Sequence, residues 1–172
     1  AEMAEDATDL AVTLRPIELG SVVTEVVAGC RPLADRKEQT LALAIEPGIV
    51  IEADRFRLAE AIENLVTNAI KYSPLGSPIG IAVERVPDAA AARIAVRDAG
   101  PGLTDADKAR LFRRFERLSA QPTGSESSTG LGLAIAKRIV ELHAGSIAAE
   151  SDGPGRGAAF VITLPLDSSE AR

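Results

Sequence analysis

A row of polar residues recurs at helical spacing within residues 54–72. Its members are Glu60, Asn64, Asn68 and Lys71, with Tyr72 at the edge. The stretch is predicted to be a helix, because Asp54 is a suitable N-cap and Pro74 follows its end. Amide oxygens in such a row could ligate a hard cation such as Mg²⁺, and the lysine could meet phosphate oxygens. From this helix alone, a solvated face remains the simpler interpretation.

Two glycine motifs suggest further chemistry. Asp98-Ala99-Gly100-Pro101-Gly102 directly follows a predicted strand, so its carboxylate could accept a hydrogen bond from an exocyclic amine. Gly130-Leu131-Gly132 opens a predicted helix, whose free N–H groups and positive dipole end suit an anion. A dinucleotide-binding fingerprint is rejected, because Ile135 stands where its third glycine is needed. Ordinary turn and helix-start glycines remain the alternative for each motif taken separately.

The elements that would position these residues alternate between helices and strands. Main helices are predicted from Ile17 to near Pro32, over Asp54–Tyr72 and over Leu131–Leu142, with Gly145 as a C-cap and a short helical piece at Asp105–Leu118. Strands are predicted at Leu41–Ile45, Ile49–Glu52, Ile79–Val86, Ala92–Arg97, Ser146–Ser151 and Ala158–Leu164. The expected fold is a two-layer α/β sandwich, in which a mixed, mostly antiparallel sheet of about five strands carries three main helices on one face. Residues 99–129 break the pattern and are expected to form a functional loop or lid.

Composition excludes several classes of protein. The chain has 172 residues, 46% of them hydrophobic, which favours one globular domain. Its net charge of −6 argues against nucleic-acid binding through bulk electrostatics. A single cysteine, Cys30, excludes an internal disulfide and fits a reducing compartment. No apolar run approaches the ~20 residues of a membrane span, and the acidic start lacks the features of a signal peptide.

Considered together, four motifs in one order are far more specific than any one of them. Four segments resemble the sequence motifs of the ATP-binding catalytic domain of bacterial sensor histidine kinases, in the GHKL superfamily. In chain order they are NLVTNAIKYSP for the N box, DAGPGL for the G1 box, LFRRFER for the F box and TGLGLAIAKRIVELHAG for the G2 box. The resemblance spans roughly residues 16–165 and implies the Bergerat α/β sandwich. The family's glycine pairs before the G2 box are replaced here by Ser127-Ser128.

The resemblance also assigns roles to residues. Asn68 would ligate Mg²⁺, Asn64 would support the metal or phosphates, and Lys71 would contact phosphate, so these three residues are the predicted catalytic set. Tyr72 would line the ribose and adenine region, and Asp98 would read the adenine amino group. The remaining predicted contacts to ATP are Gly100, Gly102, Leu103, Arg114, Arg117, Thr129, Gly130, Leu131, Gly132 and Leu133.

The position of the only histidine bears on activity. His143 lies at a predicted helix C-terminus, and the family histidine at this place is not the phosphoacceptor. The resemblance therefore implies that the acceptor lies on a separate dimerisation domain. Residues 1–15 are expected to form a linker from that domain, residues 16–166 the catalytic domain and residues 167–172 a tail.

Three functional classes remain open. A kinase would transfer the γ-phosphoryl group of Mg-ATP to a partner histidine, then signal through a response regulator. A related ATPase would need a glutamate one turn before the metal-binding asparagine, where Asn64 stands, and this favours the kinase. A nucleotide-binding module without catalysis is the third class. The expected location is cytoplasmic, without nucleic acid or direct membrane contact.

Overall fold

The computed structural model describes residues 11–110, 132–153 and 155–167. Its helices are α1 (Leu19–Arg36), α2 (Arg55–Tyr72), α3 (Asp105–Arg110) and α4 (Gly132–Leu142). Its strands are β1 (Arg15–Glu18), β2 (Thr40–Ile45), β3 (Val50–Ala53), β4 (Pro78–Arg85), β5 (Ala91–Asp98), β6 (Ser146–Glu150) and β7 (Ala158–Pro165). The predicted lid and the end of the helical piece at Asp105–Leu118 lie outside the described residues.

The sheet confirms the predicted α/β sandwich. Five strands follow the order β2-β4-β5-β7-β6, and only the β2–β4 pair is parallel. Three helices pack together on one face, with α2 between α1 and α4. Inward-facing residues alternate along β4 and β5, as a sheet with one covered face requires. Among the described residues, no helix is both long and apolar enough to cross a membrane.

The start of the chain corrects one prediction. Ile17 was expected to open a helix, but it lies in β1 and pairs with Ile51 of β3 in a separate two-stranded sheet. Helix α1 begins only at Leu19 and runs past Pro32 to Arg36, beyond the predicted end. Ala34, after the proline, is buried in the core, so tertiary packing maintains the last turn.

The end of α4 corrects a second prediction. Gly145 is not the left-handed C-cap residue, because Ala144 adopts that conformation with a φ of 58°. Gly145 is required for a different reason: a Cβ there would lie 2.5 Å from the carbonyl oxygen of Thr163. Close packing against β7, rather than backbone conformation, therefore explains this glycine.

These two neighbours should respond to substitution in opposite directions. Ala144→Gly removes a left-handed alanine and should raise the free energy of unfolding by about 1 kcal/mol. Gly145→Ala should lower it by at least as much, because the added methyl overlaps backbone. Urea denaturation of both variants measures the difference, and stabilisation by Gly145→Ala would contradict the assignment.

Candidate functional site

The polar face of α2 lies beside its buried face. The side chain of Asp54 caps the helix by accepting a hydrogen bond from Arg57 N–H at 3.1 Å. Asn64, Asn68 and Lys71 are half-buried, so the polar row is not a freely solvated surface. Neither asparagine carboxamide makes a hydrogen bond to a described residue, which leaves both available to a ligand.

Asp98 at the end of β5 is a half-buried acid of the site. Its Oδ1 accepts hydrogen bonds from Gly100 N–H at 2.9 Å and Ala158 N–H at 3.1 Å. Oδ2 accepts none from the described residues. Burial raises the pKa of this carboxyl above its ordinary value, against the opposing effect of the two N–H donors. One oxygen therefore holds the loop, and the other remains available to a ligand.

A narrow pocket brings together side chains from α2, β5 and the following loop. Its lining residues are Asn68, Tyr72, Asp98, Pro101, Gly102, Leu103, Ala158 and Phe160. The cavity measures only about 10 Å³, so a purine ring would have to widen it. Asn68 thus lines one pocket with four other predicted site residues, which come from distant parts of the sequence: Tyr72, Asp98, Gly102 and Leu103.

The predicted glycines have different surroundings. A Cβ on Gly100 would lie 2.8 Å from the carbonyl oxygen of Tyr72, and one on Gly102 would overlap the backbone of Gly153. Both therefore have a packing reason to be glycine. At the start of α4, a Cβ on Gly132 would only touch Asn64, at an ordinary 3.7 Å from Oδ1. The described residues give no steric reason for Gly132 to be glycine.

The first turn of α4 lies close to the polar face of α2. Gly132 faces Asn64, and half-buried Leu133 packs against the core. Free N–H groups at a helix start attract anions, so this end of α4 could hold phosphate oxygens. The other predicted contacts in this region lie outside the described residues: Arg114, Arg117, Thr129, Gly130 and Leu131.

Two buried side chains support the pocket-facing end of α2 and were not predicted from the sequence. Lys37 Nζ donates to the carbonyl oxygens of Ile70, at 2.7 Å, and Lys71, at 3.2 Å. Gln39 Nε2 donates to Ile70 O at 3.1 Å and Ser73 O at 3.0 Å. A cation at a helix C-terminus also complements the helix dipole. These capping bonds fix the end of the helix that presents Lys71.

His143 connects the C-terminal end of α4 to the start of α2. It is buried, its Nδ1 lies 2.8 Å from Ile139 O, and its Nε2 accepts the N–H of Asp54 at 3.0 Å. Because Nε2 must be unprotonated to accept, Nδ1 carries the proton and donates to Ile139. Both ring nitrogens are engaged: Nδ1 bonds within the last turn of α4, and Nε2 connects that turn to the start of α2.

The donor chemistry of the site fits Mg²⁺ held partly by a nucleotide. Within the described residues, no group of three or more histidine, cysteine, aspartate or glutamate side chains could hold a metal ion. The available protein ligands are the carboxamide oxygens of Asn64 and Asn68. Mg²⁺ accepts such hard oxygen ligands and commonly completes its shell with phosphates and water.

The geometry agrees with comparisons to known proteins. Residues 53–168 match the family model described as histidine kinase-, DNA gyrase B-, and HSP90-like ATPase. The chain belongs to this family.

Members named as sensor histidine kinases are among its relatives. The sensor histidine kinase TmoS of Ectopseudomonas mendocina is 34% identical over 96% of this chain, which covers 17% of TmoS. The fold matches that of the mycobacterial sensor histidine kinase MprB with a TM-score of 0.79 and 28% identity, over 88% of this chain and 98% of that one. Full-length ShkA in complex with AMPPNP matches with a TM-score of 0.78 and 26% identity, over 91% of this chain and 32% of ShkA.

The family match and these relatives together identify the chain as an ATP-binding domain similar to those of sensor histidine kinases. It spans well under half the length of the curated relatives that it matches.

Proposed function

We propose that this domain transfers the γ-phosphoryl group of Mg-ATP to a histidine on a separate dimerisation domain of the same parent protein. The phosphoryl group would then pass to a response regulator. The observation that carries the proposal is the half-buried Asp98, whose Oδ2 is left unbonded by the described residues, in one pocket with Asn68. Residues 16–166 would be the catalytic domain of a longer cytoplasmic signalling region, between a linker at 1–15 and a tail at 167–172.

Individual roles follow from chemistry and position. Asp98 Oδ2 would accept a hydrogen bond from the adenine amino group, and Tyr72 would form part of the wall around the base and ribose. Asn68 would ligate Mg²⁺, with Asn64 beside it, and Lys71 would neutralise phosphate charge. Bound Mg²⁺ would supply charge stabilisation for phosphoryl transfer.

The helix that presents these residues favours transfer over hydrolysis. A water-activating carboxylate is missing at Asn64, whose amide cannot act as a base. Glu60, one turn earlier, forms an ion pair with Arg57 at 3.3 Å. A positioned partner histidine would therefore be a better nucleophile than water in this site.

The test combines the chain, labelled ATP and a separately produced dimerisation domain. Mg-ATP should bind to the isolated chain, which should form no phosphohistidine and hydrolyse ATP slowly. Adding the acceptor domain should produce acid-labile phosphohistidine on that domain. Absence of Mg-ATP binding in a calorimetric titration would contradict the proposal, and rapid hydrolysis that depends on Glu60 would favour the ATPase class.

A glycine substitution tests phosphate binding at α4 separately. Gly132→Ala fits sterically within the described residues and should slightly stabilise the fold, because alanine favours helix. It should nevertheless weaken ATP binding by about tenfold, the equivalent of one strained phosphate contact, and leave adenosine binding unchanged. Thermal denaturation and parallel titrations with the two ligands measure these effects. An equal loss of affinity for ATP and adenosine would show that the phosphates do not bind at the start of α4.

A further inference from the structure

The hydroxyl group of Ser151, in the turn between β6 and β7, has all of its hydrogen-bonding capacity satisfied. Its Oγ accepts the N–H of Leu103 at 3.1 Å and the N–H of Gly153 at 3.2 Å. It donates to Gly157 O at 2.7 Å, which is shorter than its 3.3 Å separation from Gly153 O. One donor and two acceptor sites are the full inventory of a serine hydroxyl. A single side chain thus joins the loop after β5 to both sides of the turn.

Backbone contacts extend this connection along the whole loop. Gly157 N–H donates to Gly100 O at 3.1 Å, and Gly155 N–H donates to Pro101 O. Gly102, with a φ of 79°, packs so closely on Gly153 that no side chain would fit. The described residues of the turn, 151–153 and 155–157, therefore hold the backbone of residues 98–103 in position.

We propose that Ser151 is a positioning residue for the nucleobase end of the site. The inference rests on the proposed function, because it assigns residues 98–103 to base binding. Leu103, the residue bonded to Ser151, lines the pocket together with Gly102 and Pro101. Releasing Leu103 frees the end of the loop farthest from Asp98, which is itself held through its Oδ1. Ser151 therefore sets the shape of the part of the pocket wall that Leu103 forms.

The position of the turn predicts which part of a nucleotide depends on Ser151. Leu103 and its neighbours lie at the adenine pocket, whereas the start of α4 faces Asn64. Loss of the hydroxyl should weaken binding of the nucleoside portion and leave the phosphate contribution intact. Adenosine, ADP and ATP should then lose affinity by the same factor.

The principal experiment compares Ser151→Ala with the parent chain, using calorimetric titrations of adenosine, ADP and ATP with Mg²⁺. We expect a loss of about three- to tenfold for every ligand, equivalent to one net hydrogen bond. Ser77→Ala is the matched control, because its hydroxyl also donates to a turn carbonyl, Pro74 O at 2.6 Å, away from the pocket. The control should bind all three ligands as the parent does. Unchanged affinity in Ser151→Ala, or loss confined to ATP, would overturn the inference.

Two further measurements keep the test decisive if Ser151→Ala unfolds. In the parent chain without nucleotide, the Leu103 amide should be protected from hydrogen exchange, and fast exchange at this amide would contradict the bond to Ser151. Ser151→Thr retains the hydroxyl and should bind adenosine with nearly the parent affinity. Loss in this variant equal to that in Ser151→Ala would assign the effect to packing and overturn the inference.

The outcomes also separate this inference from the proposed function. If the parent binds neither adenosine nor Mg-ATP, the proposed function fails and the role of Ser151 fails with it. If the parent binds both and Ser151→Ala binds them equally well, only the positioning role is lost.

Discussion

Asp98→Asn should change the nucleotide preference of the domain without unfolding it. The amide keeps an oxygen that can accept from Gly100 and Ala158 N–H, so the loop after β5 retains its two bonds. The atom left for the ligand changes from an acceptor to an NH₂ donor, which would meet the amino donor of adenine. We expect ATP affinity to fall by about a hundredfold, because two buried donors would face each other unpaired.

A base with a carbonyl at the same position separates this effect from general damage. Inosine triphosphate carries oxygen where ATP carries the amino group, so Asp98→Asn should favour ITP over ATP, the reverse of the parent. Competition titrations with both nucleotides measure the ratio. Asp35→Asn, at an exposed position on α1, is the control and should keep the parent preference. Equal losses for ATP and ITP would remove Asp98 from base recognition.

The same pair of proteins should differ in pH dependence. Because burial raises the pKa of Asp98, its carboxylate takes up a proton at a higher pH than an exposed aspartate does. The protonated group is a poorer acceptor, so ATP affinity of the parent should fall as the pH falls through this raised pKa. Folding also disfavours the charged form of this carboxyl. Its contribution to the free energy of unfolding is therefore full below the ordinary aspartate pKa and is lost as the pH rises through the raised pKa. Asp98→Asn should lack both effects.

Asn68→Ala should abolish phosphoryl transfer while preserving adenosine binding. Removing the carboxamide deletes a predicted Mg²⁺ ligand, and misplacing the metal should lower the transfer rate by at least about a hundredfold. The fold should tolerate the change, because alanine favours helix more than asparagine does and Asn68 has no hydrogen-bond partner among the described residues. Transfer to an added dimerisation domain, with adenosine titration alongside, measures the two effects.

Thr67→Ala controls for a change on the same helix. Thr67 is adjacent in sequence, but its hydroxyl bonds to the carbonyl oxygen of Glu63 at 2.8 Å rather than facing the pocket. This variant should transfer at close to the parent rate. Unimpaired transfer by Asn68→Ala would contradict its role as a metal ligand.

Local patterns were sufficient to predict α2 and the strands β4 and β5. The cap at Asp54 and the apolar stripe of α2 are each encoded within a few residues. The alternation of inward- and outward-facing residues along β4 and β5 indicates which side of each strand faces the core. The family motifs predicted roles for Tyr72, Asp98, Gly102 and Leu103, and the fold places these four residues around one pocket.

Pairings between distant segments could not be predicted in the same way. β2 and β3 are separated by a Pro47-Gly48 turn and resemble two arms of a hairpin, yet they join different sheets. β2 pairs in parallel with β4, and β3 pairs with β1. The choice of pairing strand depends on the path of α2, which connects β3 to β4. Neither short strand segment encodes that path.

The supporting residues were missed for a related reason. Ser151 lies in a glycine-rich segment that is typical of an ordinary turn, and its bond to Leu103 joins residues 48 apart in the chain. Lys37 reaches carbonyl oxygens of α2 more than 30 residues away. Serine in a turn and lysine after a helix are common, so their types alone give no signal of these contacts.

The buried imidazole of His143 makes the domain unusually simple to follow by magnetic resonance. The chain contains one histidine, so isotope labelling of that amino acid alone yields a single set of ring signals that needs no assignment. Its Nδ1 proton, held against Ile139 O, should exchange slowly with water and give a resolved line. A shift of that line on adding nucleotide would report a rearrangement at the junction of α2 and α4, far from the pocket, without any introduced probe.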